Sequence, residues 1–347
     1  MVRNVWKTIA TRVNVPALVI TAIIAVVGPL FVASYSLAMG DPTPREVPLA
    51  VVGDDAQVAT TQTVMDEAGS QRYRVVEAAT PDAARTALDR QQIYAIVDPA
   101  ASALTLSTAS GFSVAVLIAD AGPALSEALG TPLTVVDAHP LAKHDQNGLV
   151  LFYLALGATI LGFVGAIQTR VNAQGMTLRA EVGWDIGRSL VVSLLMTIVI
   201  GPVLGLEAFP VLPVWLVLAA TMFTGAMVYS FWRVAIGRKW ALLPTWITFV
   251  IIANPSAGGA VAPELLPPFY EFMGRWLPTG ATVRALRDIT YFPDALTPEP
   301  FLVLAGWVVA SAAAFITARR RRYGTGAVGA EPRVVEATAI ERERAIR

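Results

Sequence analysis

The chain has 347 residues, of which 55% are apolar and only 15% charged, whereas soluble domains average about 45–50% apolar and about 25% charged residues. This composition argues against a soluble globular protein, and the balance of 26 basic and 26 acidic residues leaves no global charge to attract nucleic acid. The lack of cysteine excludes disulfides, cysteine zinc sites, iron–sulfur clusters and thiol chemistry, and two histidines leave little scope for metal binding or acid–base catalysis.

The first 39 residues combine a basic segment with a long apolar stretch. Residues 1–14 place Arg3 and Lys7 beside apolar residues at helical spacing, which favours a cytoplasmic helix on the membrane surface over a plain extension. Residues 15–39 contain no charge and are long enough to cross a bilayer. Because they exceed the apolar region of a signal peptide, we interpret them as a retained span, TM1, with a cleaved signal as the alternative.

Residues 41–147 are predicted to form a small extracytoplasmic α/β domain. They hold 14 acidic and 6 basic residues, and strand-like runs alternate with helical patterns. A β-α-β-α-β order is typical of an α/β layer. The predicted elements are strand 47–52, helix 58–68, strand 73–76, helix 81–91, strand 93–97, strand 104–107, helix 112–129 and strand 133–136.

Five further apolar stretches predict a membrane domain over residues 148–318. With TM1 they give six helical spans and place both termini on one side. That side holds 17 of the 26 basic residues, which identifies it as cytoplasmic; a five-span alternative would put the arginines at 319–322 outside. The predicted spans are TM2 148–168, TM3 189–206, TM4 208–232, TM5 240–253 and TM6 300–318, and the cytoplasmic tail 319–347 is expected to be disordered.

Between TM5 and TM6, residues 255–292 are broken by glycine and proline yet remain rather apolar. Irregular backbone is tolerated at membrane depth only where protein or water covers it, which favours a re-entrant segment. Phe269 and Trp276 would then be interfacial anchors. The alternative is an outer loop that rests on the lipid surface and carries ordinary charges.

The connection after TM2, residues 169–187, mixes apolar and charged side chains. Such a segment could dock a cytoplasmic partner or could be an inert connector. Two stripes of small residues permit close helix packing, for which we expect partners within the same chain. The stripes are Ala158, Gly162 and Ala166 in TM2, and Gly306, Ala310 and Ala314 in TM6.

Three kinds of machinery are missing from the sequence. It has no P-loop motif for nucleotide binding and no clustered nucleophile and base, so we predict neither an enzyme nor a cofactor in this chain. No ionisable residue lies inside a predicted span, which disfavours a proton-driven carrier and assigns the energy source to another polypeptide. His139 and His144 are interpreted as solvated loop residues.

The chain resembles a known family at three places. The first place is residues 47–55, and the second is the helix-then-strand block 80–99. The third is the stretch before the last span, with Gly258, Gly259 and residues 263–267, 277–278 and 284–287. At these places the chain is similar to the permease subunits of type-2 ABC exporters. The resemblance is to the phage-infection-protein-like branch, which carries an extracytoplasmic domain after the first span. It covers most of residues 15–318, although the domain here is small for that branch.

The resemblance implies a permease in the bacterial plasma membrane that exports an amphiphilic, lipid-like or drug-like substrate. It further implies a second copy or close paralogue, and separate ATPase subunits that hold ATP and magnesium; membrane lipids are the other expected partners, and nucleic acid is not. A segment over 170–184 would couple the chain to the ATPase. The implied coupling residues are Arg170, Gly175, Met176, Leu178, Arg179, Glu181, Trp184 and Asp185.

The resemblance also implies that residues 258–291 form a re-entrant exit gate. The implied gate residues are Gly258, Gly259, Pro263, Glu264, Pro267, Phe269, Glu271, Trp276, Pro278, Arg284 and Arg287. A second hypothesis is a membrane scaffold or surface receptor of a secretion or envelope complex that transports nothing.

Overall fold

The computed structural model describes residues 15–69, 73–206 and 209–327. The predicted surface helix over 1–14, and residues 328–347 of the predicted tail, lie outside the described residues. The described fold is mainly helical with one small α/β sheet, and five of its helices are long and apolar enough to cross a membrane. The chain is therefore a membrane protein, as its composition predicts.

Helix α1 (Val15–Met39) leads into the α/β domain, whose elements follow the predicted order. The single helix predicted over 112–129 is wrong, because the helix is interrupted at Ala121 and Pro123 lacks the N–H needed to continue it. The domain consists of β1 (Val47–Val51), α2 (Asp55–Gly69), β2 (Tyr73–Glu77), α3 (Pro81–Asp89), β3 (Ala95–Asp98), β4 (Ala103–Leu106), α4 (Phe112–Asp120), α5 (Gly122–Ala128) and β5 (Thr134–Asp137).

The five strands form one mixed sheet in the order β2-β1-β3-β4-β5. Strand β1 is parallel to β2 and β3, β3 is antiparallel to β4, and β4 is parallel to β5. Val47, Leu49 and Val51 alternate onto one face of β1 and are fully buried with Met65 and Ile118. All four residues of the edge strand β5 are exposed.

Helix α8 is the centre of the remaining helices, because α6, α7, α11 and α12 all pack against it. Most apolar residues of α8 are accordingly buried, whereas Val211, Leu212 and Leu216 near its start are about half exposed. These helices are α6 (Val150–Asn172), α7 (Leu178–Leu204), α8 (Val211–Ala235), α9 (Leu242–Trp246), α10 (Pro268–Trp276), α11 (Pro278–Tyr291) and α12 (Pro298–Tyr323).

The two stripes of small residues behave differently. In α6, Ala158 and Ala166 are fully buried, and a Cβ on Gly162 would lie 2.3 Å from the carbonyl oxygen of Met222, so this stripe lets α6 and α8 approach closely. In α12, Gly306 and Ala310 are exposed, and a Cβ on Gly306 would meet nothing within 4 Å. The expected packing of the Gly306, Ala310 and Ala314 stripe within the chain is therefore wrong.

Two predicted spans differ most from the helices observed, and α12 also continues five residues beyond predicted TM6, so residues 319–323 of the tail expected to be disordered are helical. TM5 was predicted over 240–253, but α9 continues only as a π-helix (Ile247–Ala253), and the combined helix is shorter than the five membrane-length helices. TM3 was predicted to begin at 189, whereas α7 begins at Leu178, capped by the Thr177 side chain. The first turns of α7 carry charged residues that form ion pairs inside the protein. A prediction from composition alone excludes such charged residues from a span.

Helices α10 and α11 form a tight hairpin that is inserted among the long helices. Thr282 of α11 shares a hydroxyl hydrogen bond of 2.6 Å with Thr221, which lies ten residues, or about 15 Å, along α8. At the turn between them, Trp307 of α12 donates its indole N–H to the carbonyl oxygen of Trp276 at 2.8 Å. The turn of the hairpin thus lies beside the middle of α8.

Candidate functional site

The hairpin is joined to the α/β domain through polar contacts. Tyr94 of the sheet domain donates its hydroxyl to Glu264 at 2.5 Å, and Gln91 donates to Asp288 of α11 at 2.8 Å. Burial and the neighbouring Glu264 carboxylate raise the pKa of Tyr94 well above its usual value, so this phenol stays protonated and able to donate. The domain and the hairpin are consequently positioned as one connected unit.

The loop that precedes the hairpin is held against the long helices by glycines. Gly258 has a positive φ of 71°, and Arg287 of α11 donates to its carbonyl oxygen at 3.1 Å. A Cβ on Gly259 would lie 2.6 Å from the Phe152 side chain in α6. Inside the hairpin, Gly274 admits the carbonyl oxygen of Ser256, because a Cβ there would be only 1.8 Å away.

The residues implied for a gate all lie in this loop and hairpin, but they face different ways. Pro278 is buried at the first turn of α11, and Arg284 is half-buried, with hydrogen bonds to the carbonyl oxygens of Gly274 and Arg275. Phe269 and Trp276 are about half exposed and point outward. The remaining members are Pro263 in a 3-10 turn, Glu264 on Tyr94, Pro267 at the start of α10, and the exposed Glu271.

Between the hairpin and α12 is a cavity of about 410 Å³ with four charged side chains in its lining, which we name the hairpin cavity. Arg275 of α10 forms a two-pronged ion pair with Glu299 at the start of α12, with distances of 2.8 and 3.1 Å. The Ser256 side chain is buried, and its hydroxyl has no partner among the described residues. The cavity is lined by Ser256, Ala257, Pro263, Pro268, Glu271, Phe272, Gly274, Arg275, Arg284 and Glu299.

At the opposite ends of the long helices lies a second charged feature, the arginine cluster, formed by Arg170, Glu181, Asp185, Arg188, Arg233 and Arg319. The Asp185 side chain is fully buried and accepts hydrogen bonds from Arg170 at 2.5 and 3.1 Å and from Arg188 at 2.6 Å. Four arginines around two carboxylates tie α6, α7, α8 and α12 together. Ion pairs removed from water in this way are stable only where hydrogen bonds of good geometry offset the cost of desolvating the charges.

The second carboxylate of the cluster links three helices. Glu181 of α7 accepts a hydrogen bond from Arg233 of α8 at 2.9 Å, and its other oxygen is 3.8 Å from Nε of Arg319 in α12. Arg319 is itself almost wholly buried and donates to the carbonyl oxygens of Gly324 and Gly326. This pairing fixes the chain immediately after α12.

The structure divides the implied coupling residues into two groups. Arg170, Leu178, Glu181 and Asp185 are buried, whereas Arg179 and Trp184 are exposed on the first turns of α7. Gly175, at a positive φ of 75°, and Met176 belong to the short connection between α6 and α7. The stretch 170–184 that the resemblance implies for coupling comprises the end of α6, a short loop and the beginning of α7.

A third feature is an apolar groove of about 600 Å³ between α1 and α9. Beyond the groove, Ser34 of α1 donates to the carbonyl oxygen of Ile251 at 2.5 Å and shares a 2.9 Å hydrogen bond with Tyr270. The groove is lined by Ile23, Ile24, Val27, Gly28, Phe31, Lys239, Leu242, Leu243 and Trp246.

Sequence reasoning missed the partners that complete these features. Arg188, Arg233 and Arg319 were used only to orient the chain, and Glu299 was not singled out at all. A charged residue directly beside an apolar stretch is a signal, because such a residue can form an ion pair at the end of a membrane-length helix. The pairing itself joins residues distant in sequence and cannot be read from spacing.

No group of three or more histidine, cysteine or acidic residues among the described residues could hold a metal ion. Comparisons of the chain with protein-family models, curated proteins and solved structures find no match. The function is therefore inferred from the geometry of the hairpin, the hairpin cavity, the arginine cluster and the groove between α1 and α9.

Proposed function

We propose that this chain is the permease subunit of an ATP-driven exporter of the type-2 ABC class, which moves an amphiphilic compound out of a bacterial cell. In this proposal the chain crosses the plasma membrane six times, the short α9 and its π-helical continuation making the fifth crossing. The arginine cluster faces the cytoplasm and the α/β domain faces outward. A second copy or a close paralogue completes the transporter, and ATPase subunits with ATP and magnesium bind below.

The observation that carries the proposal is the hairpin beside the middle of α8 and beneath the α/β domain. Its contacts with α6 and α8 combine apolar packing, in which buried residues of α11 such as Leu286 join the core, with two hydroxyl pairs. These pairs are Thr282 with Thr221 at 2.6 Å and Thr279 with Thr159 at 3.5 Å. Hydroxyls can exchange a protein partner for water at little cost, because hydrogen bonds are replaced rather than lost. A hairpin held in this way is suited to open and close a passage.

The groove between α1 and α9 supports an amphiphilic cargo. Its lining is almost entirely apolar, and Lys239 lies at the end that the proposed orientation places near the cytoplasmic headgroups. An acyl or other apolar tail would fill the groove while an anionic head contacts the ammonium group. Lateral entry from the inner leaflet is the route consistent with this arrangement.

Coupling to an ATPase would occur through the exposed start of α7. Arg179 and Trp184 are accessible there, and the buried arginine cluster directly behind them joins α7 to three other helices. A push on this surface would move the joined helices together, because desolvated ion pairs resist separation. In this proposal the first turns of α7 take the coupling role that the resemblance implies for residues 170–184.

Co-purification from native membranes tests the proposal. The wild-type chain should retain an ATPase whose turnover responds to amphiphiles, and the double variant Arg179→Glu/Trp184→Ala should lose it while folding normally. The matched control is Arg238→Glu, which reverses an exposed charge on a different connection. A chain that retains no ATPase, or a double variant that retains it fully, would contradict this function.

A second candidate function, a non-transporting scaffold or receptor, is favoured by the edge of the sheet. Strand β5 is exposed along its whole length, and Val135 and Val136 are each about half exposed. An open edge of this kind can accept a strand from another protein. A stable envelope assembly without nucleotide turnover, lost when Val135 is changed to proline, would favour the scaffold over the exporter.

A further inference from the structure

The hairpin cavity presents two guanidinium groups to the same point. Nε of Arg275 is 2.8 Å and Nη2 of Arg284 is 3.8 Å from the same Glu299 oxygen, Oε1. Each guanidinium has five N–H donors, and Arg284 uses two of them on the carbonyl oxygens of Gly274 and Arg275. Donors remain on both groups for a phosphate, which two arginines bind well.

The same cavity also offers hydrogen-bond acceptors. Glu271 lies one turn before Arg275 on α10, but Arg275 pairs with Glu299, so Glu271 has no ion pair within 4 Å among the described residues. Ser256 also lines the cavity; the residue is 2% exposed, and its hydroxyl has no partner in that same described part. A buried hydroxyl without a partner is costly, and a carboxylate with a hydroxyl provides the acceptors that an ammonium group requires.

The charges of the cavity balance. Two arginines face two glutamates, so a ligand that carries one phosphate and one ammonium leaves the site neutral. A purely anionic headgroup would satisfy the arginines but would also bring a negative charge towards the free carboxylate of Glu271. Like charges in a partly desolvated site repel, which favours a zwitterion over an anion.

An apolar groove continues from the cavity along α12. It measures about 400 Å³ and is walled by Trp276, Leu302, Val303, Gly306, Trp307 and Ala310. Trp276 directly follows Arg275, and Leu302 lies one turn after Glu299, so the hairpin cavity and the groove adjoin. From Glu299 to Ala310 the helix rises about 16 Å, which matches half of a hydrocarbon core of about 30 Å.

We propose that the hairpin cavity and this groove bind one zwitterionic phospholipid with a primary ammonium head, of the phosphatidylethanolamine class. The phosphate contacts Arg275 and Arg284, the ammonium contacts Glu271 and Ser256, and one acyl chain lies over Gly306 and Ala310. The site relies on the hairpin lying within the membrane, but not on export. It can therefore be measured on the purified chain without an ATPase.

Lipid retention in native mass spectrometry tests this assignment. The full chain in detergent is titrated separately with dioleoyl phosphatidylethanolamine, phosphatidylcholine and phosphatidylglycerol. We expect one phosphatidylethanolamine to be retained about tenfold better than phosphatidylglycerol. We expect phosphatidylcholine to bind more weakly than phosphatidylethanolamine, because its trimethylammonium head has no N–H to donate to the carboxylate and the hydroxyl.

Two variants test the contact with the lipid headgroup and the contact with the acyl chain separately. Glu271→Gln should remove the preference for phosphatidylethanolamine, with Asp294→Asn, an exposed carboxylate outside the cavity, as its control. Gly306→Leu should reduce retention of all three lipids several-fold by filling the groove, and it should fold because a Cβ there meets nothing within 4 Å. Its control is Ala313→Leu, an equally exposed site on α12 outside the groove.

Three results would overturn the proposal. Phosphatidylglycerol retained as well as phosphatidylethanolamine would exclude the zwitterion site. An unchanged preference in Glu271→Gln would exclude the ammonium contact, and unchanged retention in Gly306→Leu would exclude the groove. None of these measurements uses transport, so the failure of the export proposal would leave them readable.

Discussion

Changing Asp185 to asparagine should destabilise the protein strongly, because Asp185 is the carboxylate between two arginines. Its side chain is fully buried, the Arg170 side chain is 2% exposed and the Arg188 side chain is 18% exposed. The variant leaves Arg170 as a buried charge without a counter-ion, and breaking such a pair costs about 3–5 kcal/mol. At roughly 2–4 °C per kcal/mol, that corresponds to a fall in Tm of about 6–20 °C.

The assay is tryptophan-fluorescence melting of the purified chain in detergent. The control Arg179→Gln, at an exposed arginine close by on α7, should melt within about 2 °C of wild type. The double variant Arg170→Met/Asp185→Leu removes both charges and should recover at least half of the loss, since apolar replacement of a buried pair is often neutral. An Asp185→Asn melt equal to wild type, or a double variant no better than the single one, would refute this reasoning.

Three further predictions concern other parts of the molecule. Gly162→Ala should lower Tm by several degrees because its Cβ would collide with α8, whereas Gly183→Ala, in open space on α7, should leave Tm unchanged or raise it. Burial lowers the pKa of His139, so as pH falls below about 6.5 the unfolded chain takes up a proton before the folded one does and stability is lost; His139→Gln should reduce that loss between pH 7.5 and 5.5 in melting experiments. Tyr94→Phe should increase hydrogen exchange in the loop around Glu264, by leaving that carboxylate without its 2.5 Å donor.

Each of these has a contradicting result. Equal melting of the two glycine variants would mean that α6 and α8 are not in close contact at that point. An identical acid loss in wild type and the His139 variant would exclude this histidine as its source. Unchanged exchange around Glu264 would show that the tyrosine does not hold the loop to the domain.

The sequence was most informative for the α/β domain. Its strands are short apolar runs that end in turns, and its second helix, α3, begins with Thr80 as N-cap and Pro81 in the first turn, all of which are local signals. The structure accordingly has every predicted strand within about two residues of its expected position. The one helix that was wrong breaks at Ala121, where a proline near the start of the next helix outweighed a continuous apolar pattern.

In the membrane region, composition located the long helices but not their ends or partners. Helix α7 was predicted too short because Glu181, Asp185 and Arg188 counted as charges to be excluded, whereas each is neutralised by a residue of the cluster. The Gly306 stripe was predicted to pack because small residues permit close contact between helices. Small residues do not by themselves show that another helix lies next to them. Both errors come from long-range pairing, which the local pattern does not contain.

The candidate site shows the same division. Glycine and proline content marked the re-entrant segment correctly as unusual backbone, and it includes most of the hairpin residues discussed above. The contacts that give it chemical character join residues far apart, as in Tyr94 with Glu264 and Arg275 with Glu299. Only the folded arrangement reveals that, within the part of the chain the structure describes, Glu271 forms no ion pair within 4 Å while Arg275 forms one.

The orientation of the chain is the central claim, and single-cysteine labelling tests it directly because the native chain has no cysteine. Cysteines are introduced one at a time at Ala56 in the α/β domain, Asp294 between the hairpin and α12, and Ala327 after α12, all exposed. With a membrane-impermeant maleimide on intact cells, the account predicts labelling at 56 and 294, and labelling at 327 only after permeabilisation. Labelling of 56 and 327 from the same side, or protection of 294 until cells are opened, would contradict it.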